Sequence, residues 1–328
     1  MVARPRFRLW LFALAASLML VPGACSSNGD GADSAGGADS SGTGTGDDDD
    51  GGTGSGTATG TGGGTGSDPG APGDDACRPP NLLIVLDRTM SMHRKPDGDP
   101  ATNTPAGLAE SKWAIAVTAT EALASDLEGT IRFGLSLFPR DPGGDVCVTL
   151  AERIEGQTAS NVDCEAGEVV VSPGPATSTD IAASIEVETT RLCTSTPIGA
   201  GLGTALEAVT ALDDDRETYV LLITDGRDTC DGNLAVANAQ ALAAAGAPLF
   251  VVGFDGSERG IDRSQLNDMT CGGQTARDLA TDCVNDGNDN FTAADPEGPA
   301  LFLSASNAVE LGQALEDIAT EVCCDCVE

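Results

Sequence analysis

Two uninterrupted apolar runs, each closed by a carboxylate, constrain this chain more than any other feature. Asn81-Leu-Leu-Ile-Val-Leu86 ends in Asp87, and Tyr219-Val-Leu-Leu-Ile223 ends in Thr224-Asp225-Gly226. A run without polar breaks is buried on both faces, as in the middle of a parallel sheet. Ile131 to Phe138 and Pro248 to Phe254 read as further strands, Val169 to Val171 as an edge strand and Leu301 to Leu303 as a last one. Between them the apolar spacing is helical. Ser111 to Leu127 carries Trp113, Ile115, Ala116, Ala119, Leu123 and Leu127, and Pro197 opens a Gly/Ala-rich helix from Ile198 to Leu212. Leu234 to Ala245 is a helix stopped by Gly246, Ser264 to Met269 starts a short one, and Ala308 to Val322 forms a terminal one. This alternation predicts an α/β fold with a doubly wound, mostly parallel central sheet flanked by helices. Ligands of such sheets sit beyond the carboxyl ends of the strands, where Asp87 and Asp225 fall.

The alternating pattern occupies only part of the 328 residues. Residues 25–76 are almost entirely Gly, Ser, Thr, Asp and Ala, including the acidic run Asp47 to Asp50. They bury too little to offset the entropy of ordering, which predicts a disordered tether. Ahead of it, Arg4, Arg6 and Arg8 precede the apolar run Leu9 to Val21. That run falls short of the roughly 20 residues a membrane span needs, but fits a signal peptide over 1–24. Gly23-Ala24-Cys25 resembles the bacterial lipoprotein cleavage site, with Pro22 where Leu is usual. The resemblance implies a lipid on Cys25, with plain secretion as the alternative. Residues 77–328 then form the folded domain, exported and held at the bacterial outer membrane or cell surface.

Acidity narrows the partners. With 51 Asp and Glu against 17 Lys and Arg, the net charge is −34. Nucleic acid and anionic membrane surfaces need a basic face, which leaves the lipid anchor as the route to a membrane. Only two lysines occur, Lys95 and Lys112, and one histidine, His93, expected in a solvated loop. Eleven cysteines leave ten once Cys25 is set aside, an even number suited to disulfides in an exported protein. Zinc through Cys323, Cys324 and Cys326 is the weaker reading, because no CxxC pair accompanies them.

Three short segments carry the chemistry. Asp87-Arg-Thr89-Met-Ser91 follows the first strand, Ser195-Thr196-Pro197 opens a helix, and Thr224-Asp225-Gly226 follows a central strand. At one sheet edge they would present two carboxylates and three hydroxyls, an all-oxygen set suited to a hard cation such as Mg²⁺. Singly, the aspartates would be turn residues and Thr196 an N-cap. The trio resembles the von Willebrand factor type A family and its metal-ion-dependent adhesion site, whose pattern is Asp-x-Ser-x-Ser, a distant Thr and a distant Asp. The resemblance spans Cys77 to Val322. It implies Asp87, Thr89, Ser91, Thr196 and Asp225 as ligands of Mg²⁺ (or Mn²⁺ or Ca²⁺), with a protein partner's acidic side chain completing the shell. Thr89 stands where Ser is usual, and Met90 where Gly is common.

If these loops converge, Cys193 and Cys230 come within bonding range, so a Cys193–Cys230 bridge is expected. Local bridges Cys147–Cys164 and Cys271–Cys283 would close two inserted loops, and Cys77 would pair with Cys323, Cys324 or Cys326. Gly199-x-Gly201-x-Gly203 lacks dinucleotide-loop spacing and reads as helix packing, and Asp286 to Asn290 reads as a plain loop. Hydrolysis needs an activated nucleophile and a base. No Gly-x-Ser-x-Gly, HExxH or P-loop occurs, so a binding module is expected rather than an enzyme. The alternatives are a metal-free interaction lipoprotein and, further off, a carboxylate-metal hydrolase.

Overall fold

A computed structural model of the chain describes residues 78–160, 164–254 and 261–324. The signal segment, the tether, Cys25 and the expected pairing of Cys77 with Cys323, Cys324 or Cys326 lie outside the described residues. The domain runs β1 (Asn81–Asp87), α1 (Pro105–Ala109), α2 (Lys112–Asp126), β2 (Arg132–Phe138), β3 (Val148–Thr149), α3 (Leu150–Ile154), β4 (Glu168–Val171) and α4 (Ser178–Ser184). It continues with β5 (Arg191–Leu192), α5 (Ile198–Thr210), β6 (Thr218–Thr224), α6 (Gly232–Ala244), β7 (Leu249–Phe254) and α7 (Arg263–Gly272). The last elements are α8 (Leu279–Asp282), β8 (Cys283–Asn285), β9 (Phe291–Ala293), β10 (Leu303–Ala305) and α9 (Ala308–Cys324).

Among the described residues, six strands form one sheet in the order β10-β7-β6-β1-β2-β4. All pairings in it are parallel except that of the edge strand β4 with β2. Every residue of β1 is buried, as its unbroken apolar run demands. Leu82, Ile84 and Leu86 face α2, α4 and α9 on one side, where Trp113, Ile181 and Leu315 pack. Leu83 and Val85 face α5, α6 and α7 on the other, against Leu202, Ala239 and Met269. Each such side chain contributes roughly 2–5 kcal/mol, the cost of truncating a buried aliphatic residue to Ala.

Local signals set the helix ends. The Ser111 hydroxyl accepts from the Ala114 N–H at 3.1 Å and starts α2. Asp231 caps α6 through the N–H groups of Asn233 and Leu234. Gly246 follows α6 in the left-handed region, at φ 78°. The glycines of α5 serve packing, as expected: a Cβ on Gly199 would stand 2.8 Å from the Ala235 nitrogen, and one on Gly201 2.9 Å from the Phe138 ring.

The last strand sits two residues later than the apolar run Leu301 to Leu303 implies, because Leu301 packs with Cys271 and Cys283 while Leu303 pairs with Val252. The sheet runs away from the β1–β6 pair in both directions, to β2 on one side and β7 on the other. The carboxyl ends of β1 and β6 are therefore the switch point where such folds bind ligands.

Candidate metal centre

Asp87 is the last residue of β1, and Asp225 directly follows β6. Asp87 is fully buried. Its Oδ1 accepts from the Thr89 N–H at 2.8 Å and its Oδ2 from the Thr224 hydroxyl at 2.7 Å. Ser91 donates to Asp225 Oδ1 at 2.7 Å, and the Thr89 and Ser91 hydroxyls lie 2.8 Å apart. With Ser91 donating to Asp225, the proton between the two hydroxyls belongs to Thr89. Three of the five expected ligands, Thr89, Ser91 and Asp225, thus lie along one chain of hydrogen-bonded oxygens, and Asp87 joins it through the Thr89 N–H.

Thr196 reaches the same edge through its backbone. The strand β5 runs into Cys193, whose N–H donates to the Arg88 carbonyl at 3.0 Å and whose carbonyl accepts from Met90 at 2.8 Å. On its other side, the Thr196 N–H donates to the Thr229 hydroxyl at 2.8 Å and the Thr229 N–H to the Thr196 carbonyl at 3.0 Å. The Asp228 carboxylate takes the N–H groups of Gly199, Cys230 and Asp231, tying the start of α5 to the loop after Asp225. The three loops are therefore laced together, with the Thr196 loop in the middle. Thr196 is not the N-cap of α5, a place taken by Pro197. Ser195 before it adopts the left-handed region at φ 65°, a conformation that costs a non-glycine residue about 1–3 kcal/mol.

The electrostatics turn on a residue outside the expected set. Lys112, the first residue of α2, points its Nζ at Asp225 Oδ2 at 2.6 Å, and both side chains are almost fully buried. Burial, and then the charge of Asp225, push the Asp87 carboxyl up to about 7, against the opposing hydrogen bonds from Thr224 and Thr89. Lys112 supplies a positive charge to Asp225 at this edge. The donor set fits a divalent cation, since the oxygens are hard and two buried carboxylates call for positive charge.

His93 departs from expectation. It is buried in a short 3₁₀ turn, Met90–His93, with its Nδ1 against the Met90 carbonyl, and burial lowers the imidazole's pKa.

Two expected disulfides are also corrected. Cys193 bonds Cys147, and Cys164 bonds Cys230, instead of Cys193–Cys230 and Cys147–Cys164. The loops meet as expected, but at Thr196 and Thr229, while Cys193 faces the Asp87 loop. There β3 pairs antiparallel with β5 and brings Cys147 alongside, with Cα atoms 4.5 Å apart. The third bridge, Cys271–Cys283, is present. The Asp286 to Asn290 segment is the exposed loop of the β8–β9 hairpin.

No family model matches the chain, and no curated protein does either. Among solved structures, the PilB minor pilin from Streptococcus sanguinis is similar with a TM-score of 0.50 at 14% identity, over 76% of this chain and 62% of that chain. The pilus adhesin SpaC from Lactobacillus rhamnosus GG gives 0.47 at 12% identity, over 76% and 31%. Proximal thread matrix protein 1 from the mussel byssus, in a form with a zinc-occupied MIDAS motif, gives 0.45 at 13%, over 74% and 45%. The fold is von Willebrand factor type A-like. This type A-like chain spans less than two thirds of the length of each of these neighbours. Among its described residues, no helix is long and apolar enough to cross a membrane.

Proposed function

We propose that the domain is an exported, non-catalytic binding module that engages a protein partner through a divalent cation. The observation that carries this reading is the chain of oxygens from Thr89 through Ser91 to Asp225, beside Asp87, at the switch point of the sheet. Asp87, Thr89, Ser91, Thr196 and Asp225 would hold the ion, which when bound would offer an electron-poor position to a partner's carboxylate. Mg²⁺ suits such a set best, with Mn²⁺ and Ca²⁺ as substitutes. The burial of His93 against a backbone carbonyl supports binding over catalysis, since this single histidine is placed as a structural group.

In this reading Cys25 carries the lipid at an outer-membrane or cell-surface anchor, and residues 25–76 link it to the domain in sequence. Mass spectrometry of the native N-terminal peptide checks the anchor, and a free protein in the medium would refute it. A chelator-sensitive pull-down from intact cells tests the function: a partner retained equally with and without EDTA would remove the metal from the interface. One observation favours a second reading, a metal-free interaction domain, namely that Asp225 already has a cation in Lys112.

A further inference from the structure

We infer that Lys112 is a built-in counter-cation of the candidate metal centre, which a divalent ion must displace from Asp225 and which therefore sets the affinity of the site. The inference rests on the metal-site reading above and names a residue outside its ligand set. Its basis is the juxtaposition of the Lys112 ammonium and Asp225 Oδ2 at 2.6 Å, while Ser91 occupies Oδ1 of the same carboxylate.

Nothing local accounts for a lysine there. It is the first residue of a fifteen-residue helix, where the aligned peptide dipoles repel a cation. It is 3% exposed, so its ammonium has been taken out of water, which a lysine tolerates only beside an opposite charge. Helix initiation is already served by Ser111, and the Lys112 backbone N–H is separately engaged with the Arg94 carbonyl at 2.8 Å. Among the described residues, the side chain's polar partner is Asp225. Lysine also suits the task better than arginine. Its ammonium is a compact charge on a four-carbon stem with several rotatable bonds, so it can withdraw without unlocking a planar two-point contact.

With Lys112 on Asp225, the chain of oxygens is closed and internally satisfied. With Lys112 withdrawn, Asp225 and Ser91 are released toward a shared cation. The ammonium remains close enough to repel a dication, so affinity is lower than the oxygen set alone would give. Removing the charge should tighten Mn²⁺ binding by about tenfold or more, the scale of one partly screened unit charge a few ångströms away.

The test is Mn²⁺ titration of the full chain by calorimetry and by the spin-resonance signal of free Mn²⁺, for wild type, Lys112→Met and Lys112→Gln. Glutamine keeps a donor without the charge. Both variants should bind Mn²⁺ more tightly, melt lower than wild type in EDTA, and regain wild-type melting when Mn²⁺ is added. Wild type that binds no Mn²⁺ while the variants do is the strongest form of the same result. A variant that stays destabilised with Mn²⁺ present, or a Gln variant with wild-type affinity, overturns the inference, because Lys112 is then a packing residue. Equal binding by all three overturns it while leaving the metal site standing. Binding by none removes the metal site, and the inference falls with it.

Discussion

The Lys112 ammonium and the Asp225 carboxylate meet at 2.6 Å, 113 residues apart in sequence and both hidden from solvent. The two aspartates of the site consequently differ in what they cost to lose. Removing Asp225 leaves a buried ammonium with no partner, so Asp225→Ala should destabilise the metal-free domain by about 3–5 kcal/mol. Asp87→Asn removes the like charge from Asp225 and should leave metal-free stability equal or higher. Mg²⁺ or Mn²⁺ should raise the melting temperature of wild type and of neither variant. Thermal melts in EDTA and in each metal check this, and an undiminished metal shift in Asp87→Asn would exclude the site.

Asp87 also predicts a pH dependence. Its folded value is about 7, against an ordinary 3.8, so between these limits the folded protein holds a proton that the unfolded chain has released. A group raised in this way contributes most below about pH 4, and its contribution falls as pH rises toward 7. In EDTA the stability of wild type relative to Asp87→Asn should therefore decline over that window. A ligating Asp87 must be ionised, so the stabilisation by Mn²⁺ should grow over the same window. Urea melts at a series of pH values, wild type against Asp87→Asn, separate this group from the other carboxylates. A flat difference would mean that Asp87 is ionised throughout.

The sequence makes the frame of this site legible, because the determinants are local. Unbroken apolar runs mark β1 and β6, and their carboxylate ends place Asp87 and Asp225 at the sheet edge. Ser111 and Gly246 mark helix ends by their side-chain and backbone chemistry. Lys112 is not legible in the same way, because its role depends on a partner that only the sheet order brings near. Cys271–Cys283 is legible as a local bridge, but the pairing of Cys193 is not, for a related reason. That pairing is decided by β3 and β5, two residues each, too short to show an alternation. His93 sits in a polar segment that reads as solvated, yet the turn from Met90 folds it against its own backbone.

Gly199 ties helix packing to the site. A Cβ there would press on the Ala235 nitrogen and the Leu234 backbone of α6, neither of which can swing aside. Gly199→Ala should cost about 1–3 kcal/mol, as overpacking of a close approach does. Gly199 lies three residues after Thr196, and its N–H is held by Asp228, so the strain should also weaken Mn²⁺ binding. Gly129→Ala should leave Mn²⁺ binding unchanged, since no atom stands within 4 Å of a Cβ built there. Denaturant melts and Mn²⁺ titration of the two variants test whether α5 sets the position of the Thr196 loop.

The two corrected disulfides make the segment between β2 and β4 part of the site. Cys147–Cys193 fastens that segment to the loop that carries Thr196, and Cys164–Cys230 fastens it to the loop that follows Asp225. Each bridge spans a long stretch, 46 and 66 residues, so loop-closure entropy alone assigns about 4 kcal/mol to each. A purely stabilising role predicts that removing either bridge lowers the melting temperature and leaves Mn²⁺ affinity unchanged. The geometry predicts a difference between them. Cys193 sits between the Asp87 and Thr196 loops, with its N–H on Arg88 and its carbonyl on Met90, so its bridge braces two ligand loops at once. The loop of Cys230 is also held to α5 by Asp228, which accepts the Gly199 N–H, a second tie that survives loss of the bridge. Cys147→Ser with Cys193→Ser should therefore weaken Mn²⁺ binding severalfold, while Cys164→Ser with Cys230→Ser mainly costs stability. Calorimetric titration of the two double variants, well below their melting temperatures, decides the matter. Equal Mn²⁺ affinities would make the clamp a staple of the surface with no hold on the site.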